Sequence, residues 1–482
     1  MKKNLILLLV LILIGAFFYW DRERSEQQKE QEEKEKQLFS ISKDEVKEIT
    51  LVKGDGTFKA VMEGERWKLV QPFEADGDKS AWDGIANSYT SGKHQRVIQE
   101  NAEDLKPFGL DDPKITASLA GVDGATKTTI LFGNETPTSG KYFALIEGTS
   151  DVLTVYSSIY NLADKELYDF RDKTIVDMEA DEVQKVEIAH GDADLTLERR
   201  GENEWVVTQP LLARADEAQI RDLINNVRNG KIKQFIEETP ESYEAYGLVD
   251  PATKLVFWTG EKNNQSSWAA RALLIGGTSA MDHWYAKREG QKNVFSVDPK
   301  DFNKVPKDID SLRSKKITDL RSWEINSMKL VSSGSVIAEA TKDAGDWFLI
   351  QPESGKANFS SLSNLVRDMV DLEIAEFVQG ATEEYGLGQP DIVIELAKQD
   401  SSAETEDAEK TSTIDIIELV KEKSDNPQFY IGARTEPLEI YKLKIEDVDS
   451  VLSKASDVSL AETPTPLPLD ESETEDSSET EG

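Results

Sequence analysis

Four stretches of the chain carry residue types that could do chemistry. The first, Phe132-Gly-Asn-Glu-Thr-Pro-Thr-Ser-Gly-Lys-Tyr142, has the glycines and lysine of a phosphate cradle. A P-loop sets four residues between its glycines and follows its lysine with Ser or Thr. Here six residues separate Gly133 from Gly140, and Tyr142 follows Lys141. The spacing therefore reads as a hairpin loop. The second stretch, from Asp76, starts like a calcium loop with Asp76, Asp78 and Ser80. It then puts Ala81 where the turn glycine belongs and Asn87 where a bidentate glutamate is needed. Asp78 is better placed to cap a helix. The third group is His94, His190 and His283, which match no Ser-His-Asp order and no H-E-x-x-H spacing. With 92 acidic residues, paired carboxylates arise from composition alone and point to no general acid or base. The fourth group is aromatic: Trp258, Trp268, His283, Trp284 and Tyr285 crowd one part of the chain. An exposed strand face built from them would stack on a glycan or a peptide, so these five are the candidate ligand or partner surface. No catalytic residue, cofactor or metal ligand is expected.

The elements that position these residues occur three times. Trp67-Lys-Leu-Val-Gln-Pro72 returns as Trp205-Val-Val-Thr-Gln-Pro210 and Trp347-Phe-Leu-Ile-Gln-Pro352. Large apolar residues at period two, stopped by proline, predict a strand entering a turn. Upstream of each tryptophan lies an apolar trio: Val46, Ile49, Leu51; Val183, Val186, Ile188; Ile325, Met328, Leu330. Trio, turn residues and tryptophan strand predict a hairpin or meander that opens each unit. A helix follows, with Trp82, Ile85, Ala86, Tyr89 at helical spacing, matched by Ile220, Leu223, Ile224, Val227 and by Leu362, Leu365, Val366, Met369. Asp78, Asp216 and Asn358 stand four residues ahead of each set, where a side-chain oxygen caps the first turn.

A second phrase closes the helical part of each unit: Phe108-Gly-Leu110, Tyr246-Gly-Leu248 and Tyr385-Gly-Leu387, each with a proline a few residues on. Glycine at φ > 0 ends a helical turn, the leucine folds back onto apolar surface, and proline starts an extended segment. Apolar strands follow, including a tyrosine-bearing one. The first two units close on Arg171 and Arg313, and the third has no arginine there. The third also carries a polar insertion, Gln399–Thr413, read as a solvated loop. The fold class is therefore α+β: three tandem repeats, each a mainly antiparallel sheet with one or two packed helices.

Tryptophan strand, capped helix, [FY]-G-L-x-x-P phrase, tyrosine strand and closing arginine, in that order, resemble the bacterial domain-of-unknown-function family 4340 over about Phe39 to Leu460. The third unit matches only through Trp347, Pro352, Tyr385, Gly386, Leu387, Pro390 and Tyr430. The resemblance implies a membrane-anchored extracytoplasmic protein, often encoded beside ABC-type transporter components of the gliding-motility kind. It brings no catalytic residues.

The ends of the chain agree with that placement. Lys2 and Lys3 precede an apolar run from Leu5 to Trp20 that closes on aromatics rather than on the small residues of a cleavage site. Sixteen residues span about 24 Å as helix, close to the ~30 Å hydrocarbon core. The expected organisation is a transmembrane signal anchor at 1–20, a charged stalk at 21–38, repeats at 39–172, 173–316 and 317–460, and a disordered acidic tail at 461–482. The formal charge of −36 opposes binding to a phosphate backbone, and the absence of cysteine removes disulfides and thiol chemistry. The expected function is a non-catalytic, single-pass scaffold or accessory protein on the extracytoplasmic side of the inner membrane. Its partner would be a transporter permease or an envelope complex. The alternative is an envelope glycan- or peptide-binding module using the aromatic strands of the second unit.

Overall fold

The computed structural model describes Tyr19, Trp20, Arg22 and residues 36–54, 56–124, 127–138, 140–201, 204–399 and 412–461. The expected anchor apart from Tyr19 and Trp20, most of the stalk, the tail after Ala461 and most of the polar insertion lie outside those residues. Among the described residues, no helix is long and apolar enough to cross a membrane. By compactness the chain divides into two units. One comprises Met1–Ile175, Gly230–Pro240 and Asn293–Asp298, the other Val176–Asn229, Glu241–Lys292 and Pro299–Gly482.

The first sheet has nine strands: β1 (Glu48–Lys53), β2 (Gly56–Glu63), β3 (Arg66–Gln71), β4 (Ala75–Asp76), β5 (Arg96–Gln99), β6 (Ile115–Ala120), β7 (Thr128–Glu135), β8 (Lys141–Ile146) and β9 (Val152–Tyr156). Their order is β4-β3-β2-β1-β6-β7-β8-β9-β5. Two meanders thus join at the β1/β6 pair, where Leu51 faces Ala117 in antiparallel register. Between them, helix α1 (Lys79–Thr90) carries the chain from the β4 edge to the β5 edge. Two further nine-stranded sheets, spanning Val183–Val297 and Ile325–Lys444, repeat the order strand for strand. The α+β architecture of three mainly antiparallel sheets is the one that the recurring phrases predict.

Alternation decides which face carries the core. Ile49, Leu51, Ala60, Trp67 and Leu69 are buried, while Thr50, Lys59, Lys68 and Val70 between them are only partly covered. Helix α1 lays Ala81, Trp82, Ile85, Ala86 and Tyr89 on that face. A fully buried large apolar side chain contributes about 1.5–3 kcal/mol. Short helices α2 (Ser157–Ala163) and α3 (Leu167–Phe170) close the first repeat, and Phe170 joins the same core. Helices α4 (Glu217–Asn229) and α5 (Phe359–Val370) are the counterparts of α1 and bury the expected four positions each. The caps are in place: Ala81 N–H donates to Asp78 at 2.9 Å, Gln219 N–H to Asp216 at 3.1 Å and Ser361 N–H to Asn358 at 3.1 Å.

The glycine phrase serves the opposite face. Gly109, Gly247 and Gly386 have φ of 66°, 66° and 78° and end their helical turns in the left-handed region. The leucines that follow, Leu110, Leu248 and Leu387, are buried. Leu110 packs with Leu145, Val152 and Phe143 in a small cluster separate from the main core. Phe143 and Leu145 alternate with Ala144, which points to α1, so this cluster covers the far side of the sheet. The turn lies so close to the sheet that a Cβ on Gly133 or Gly276 would come within 2.2 Å of the carbonyl oxygen of Phe108 or Tyr246.

Candidate interaction surfaces

The recurring aromatics are taken up by packing. Trp67, Trp205 and Trp347 are at most 5% exposed. Trp67 Nε1 donates to Asp83 at 2.8 Å, and Trp82 Nε1 donates to the Phe170 carbonyl at 2.9 Å. Two of the five candidate surface residues also have counterparts in other repeats. Trp284 lies on the helix side against Phe302, ring centroids 6.2 Å apart, as Tyr142 lies stacked on Tyr160 at 3.8 Å. Tyr285 lies on the far side edge-on to Tyr246 at 5.1 Å, as Phe143 meets Phe108 at 5.0 Å. Trp268 closes its own loop by donating Nε1 to the Glu261 carbonyl. His283 sits in the turn before Trp284, where its N–H meets Ser279 Oγ at 3.3 Å.

Trp258 stands apart. It alternates with the buried Phe257 and so faces away from α4, with the Lys185 ammonium 5.5 Å from its ring. Its indole N–H is buried without a hydrogen-bond partner among the described residues. The register places Trp258 opposite Ala270 and Trp284 opposite Thr278, near the two ends of one strand. The five residues therefore do not converge on one surface. The remaining histidines are separate too: His190 Nδ1 lies 2.6 Å from Thr253 Oγ1, and His94 precedes β5. The glycine-lysine stretch forms the β7/β8 hairpin, as its spacing predicts. Among the described residues no cluster of His, Cys, Asp or Glu could hold a metal ion.

The closing arginines build something the motifs did not foretell. Arg171 is 4% exposed, and its guanidinium lies 3.4 Å from the Phe235 ring and 5.0 Å from that of Phe73. Its two terminal nitrogens grip Glu238 at 2.5 and 3.1 Å. Planar stacking and a bidentate carboxylate suit arginine and not lysine. Arg313 repeats the stack on Phe377 at 3.4 Å but uses a different acid. Glu439, its side chain 1% exposed, receives Arg313 Nη2 at 2.6 Å and Arg434 Nε at 2.6 Å, and accepts from the Arg214 backbone N–H at 3.3 Å. Arg434 also donates to the carbonyls of Lys316 and Ser314. Burial lowers the affinity of Arg434 for its proton, and Glu439 opposes that effect. The segment around each arginine bridges two edges: Arg171 pairs with Gly77 and Thr174 with Lys231, while Arg313 pairs with Ala215 and Lys316 with Glu373. A signal for this was present, since each closing arginine meets a phenylalanine at one fixed distance downstream.

Exposed apolar side chains gather on the outer face of the third sheet. Phe348 and Ile350 alternate with the buried Trp347 and Leu349, and Ile414 and Ile416 with the buried Ile417 and Leu419. Ile414 and Ile416 are 57% and 58% exposed. Register joins them in one row, Phe348 facing Thr341, Thr341 facing Ser327, Ser327 facing Ala397 and Ala397 facing Ile414. Four strand spacings of about 4.8 Å make that row ~19 Å long, with small side chains in its middle. In the first sheet the place of Ile416 is taken by Thr129, buried and hydrogen-bonded to Ser118 at 3.0 Å.

Fold and surfaces together define a repeat protein of antiparallel α+β sheets joined at stacked arginines. The chain belongs to the family described as Domain of unknown function (DUF4340), whose model matches residues 67–204 and again 205–390, more than half of the chain. Each match opens on a tryptophan strand. No curated protein and no solved structure matches the chain.

Proposed function

We propose that the chain is a non-catalytic scaffold or accessory subunit of a cell-envelope or ABC-type transport complex, and that the outer face of its third sheet is where the partner docks. The apolar run Leu5–Trp20 would anchor it in the inner membrane as a single pass, with the repeats on the extracytoplasmic side. The observation that carries the reading is the row ending at Phe348 and Ile414, with Ile350 and Ile416 beside it. On a chain of charge −36, four exposed large apolar side chains on one sheet face mark an interaction surface. A second reading, an envelope glycan- or peptide-binding module, would rest on Trp258, whose half-buried ring faces away from α4 beside the Lys185 ammonium.

The test is affinity purification from detergent-solubilised membranes of the native host, with the wild-type chain and an Ile414→Asp/Ile416→Asp variant. The scaffold reading expects a membrane-protein complex with the wild type, at least tenfold depleted with the variant, at unchanged melting temperature. Equal recovery with both would remove the third sheet as the docking face. Absence of any membrane partner would remove the scaffold reading itself.

A further inference from the structure

The outer face of the third sheet has relief. One wall is the strand Asp346–Gln351, with Phe348 and Ile350, and the other is Ser412–Lys421, with Ile414 and Ile416. Three strands lie between the walls: Ser335–Asp343, Ile325–Ser332 and Ile392–Gln399. Their outward residues form rows. The first is Thr341, Ser327 and Ala397, and the second, two residues along, is Glu339, Lys329 and Glu395. Val331 and Val393 face each other two residues further on. The result is a trough with apolar walls and a floor of small side chains that becomes charged halfway along.

The other two sheets do not reproduce it. In the second, the place of Ser327 is taken by Lys185 and that of Ala397 by Trp258, which face each other with the ammonium 5.5 Å from the indole ring. Val206, the counterpart of Phe348, is buried there. In the first sheet Glu48 occupies the Ser327 place and pairs with Lys59 at 2.9 Å, and Lys68 stands where the third sheet has Phe348. Two of the three outer faces are thus closed by their own side chains, and the third has the floor clear and the walls apolar.

Size and charge select the occupant. The trough runs ~19 Å from wall to wall and ~14 Å along the strands, roughly 270 Å². A second copy laid on it would cover far less than the ~800 Å² per partner of a stable dimer. The three floor strands span ~10 Å, which matches an α-helix of about 10–12 Å diameter lying along them. Glu339 and Glu395 on the floor and Glu418, exposed beyond Ile416 on the same face, oppose one cation, Lys329, so three negative charges less one positive leave −2. Resting on the reading that this sheet is the docking face, we propose that the trough receives an amphipathic helix of the partner. Apolar residues at i, i+3 and i+4 meet the two walls, and a lysine or arginine in or beside that stripe reaches Glu339 and Glu395. At 1.5 Å per residue the contact is about nine residues long.

The test is site-specific photo-cross-linking of the full chain in its native host, with p-benzoylphenylalanine placed in turn at Phe348 and at Ile414, followed by mass-spectrometric mapping of the adducts. The expected result is that both walls capture one partner segment, the two attachment points within about twelve residues, with apolar residues at helical spacing and a lysine or arginine among them. A membrane protein caught through an acidic segment, a period-two segment or two unrelated segments would overturn the helix and leave the scaffold reading standing, and so would adducts with a second copy of the chain alongside it. No membrane protein at either wall would remove both. Three variants, compared by recovery of the partner at unchanged melting temperature, read the chemistry of the floor. Glu339→Lys/Glu395→Lys should lower recovery at least tenfold, and Lys329→Gln should raise it about threefold. Ala397→Trp, which copies the second sheet's Trp258, should fill the trough and lower recovery at least tenfold. A rise with the double lysine variant, a fall with Lys329→Gln, or full recovery with Ala397→Trp would each refute the proposal.

Discussion

Replacing Glu439 by glutamine removes one negative charge and leaves the shape of the side chain nearly intact. In the wild type this carboxylate is 1% exposed and meets Arg313 and Arg434 at 2.6 Å each. Glutamine keeps one oxygen for one guanidinium and turns an N–H donor toward the other, so two buried cations lose their shared countercharge. Breaking a buried ion pair by removing one partner costs about 3–5 kcal/mol. The retained oxygen puts the expected cost near the lower end, roughly 3 kcal/mol. For a large domain about 2 °C of melting temperature accompanies each kcal/mol, which makes the expected loss ~6 °C in the transition that unfolds this unit. The assay is differential scanning calorimetry of wild type, Glu439→Gln and a triple variant, Arg313→Met/Glu439→Leu/Arg434→Met. The triple variant takes both signs of charge away and should lie within about 2 kcal/mol of wild type in either direction. A Glu439→Gln protein that melts within about 1 °C of wild type would refute the reasoning, since the cluster would then count no more than an exposed pair.

Three other outcomes are expected. Gly276→Ala puts a Cβ 2.2 Å from the Tyr246 carbonyl and should cost more than ~2 kcal/mol in denaturant titrations, while Gly290→Ala, at φ 80° in open space, should cost about 1 kcal/mol. Asp216→Ala removes the acceptor for the backbone N–H groups of Ala218 and Gln219 and should lower stability by about 1 kcal/mol, measured the same way. Burial, aided by Asp164, raises Tyr160 to about 12, and burial with Asp449 raises Tyr430 to about 12. Unfolded tyrosines release their protons near pH 10 while these two keep theirs, so their contribution is intact below pH 10 and is lost between pH 10 and 12. Tyrosinate absorbance followed with circular dichroism should show a late fraction that ionises only as structure is lost. Full ionisation before any loss of structure would contradict the burial.

The repeat was legible because its markers are local. A tryptophan strand stopped by proline, an Asp or Asn four residues ahead of a helical stripe, and a glycine between an aromatic and a leucine each state a backbone requirement within a few residues. Those requirements are met at Trp67, Asp78 and Gly109 and at their counterparts. What was not legible depends on contacts distant in sequence. Arg434 and Glu439 reach back to Arg313 only after the third sheet has formed, and nothing near Glu439 in the sequence marks it as a buried charge. The aromatic surface around Trp284 shows the converse. Density of aromatic residues suggested a binding face, but alternation sends Trp284 and Tyr285 to opposite sides of one strand, each to a packing partner that other repeats also supply. The outer row of the third sheet was hidden because Ile414 and Ile416 fit an apolar strand equally well whichever face they take.

The stretch from Arg171 to Ile175 finishes one repeat and begins the next within five residues that carry two isolated bridges. There is no spacer in which an insertion could be absorbed, because one added residue would shift an arginine off its aromatic ring and a leucine-sized side chain out of a core. Copy number in such a chain can change only by gain or loss of whole modules. Val97 and Leu460 stand where the neighbouring repeats carry phenylalanine and arginine, so neither position can take part in a guanidinium stack of this kind.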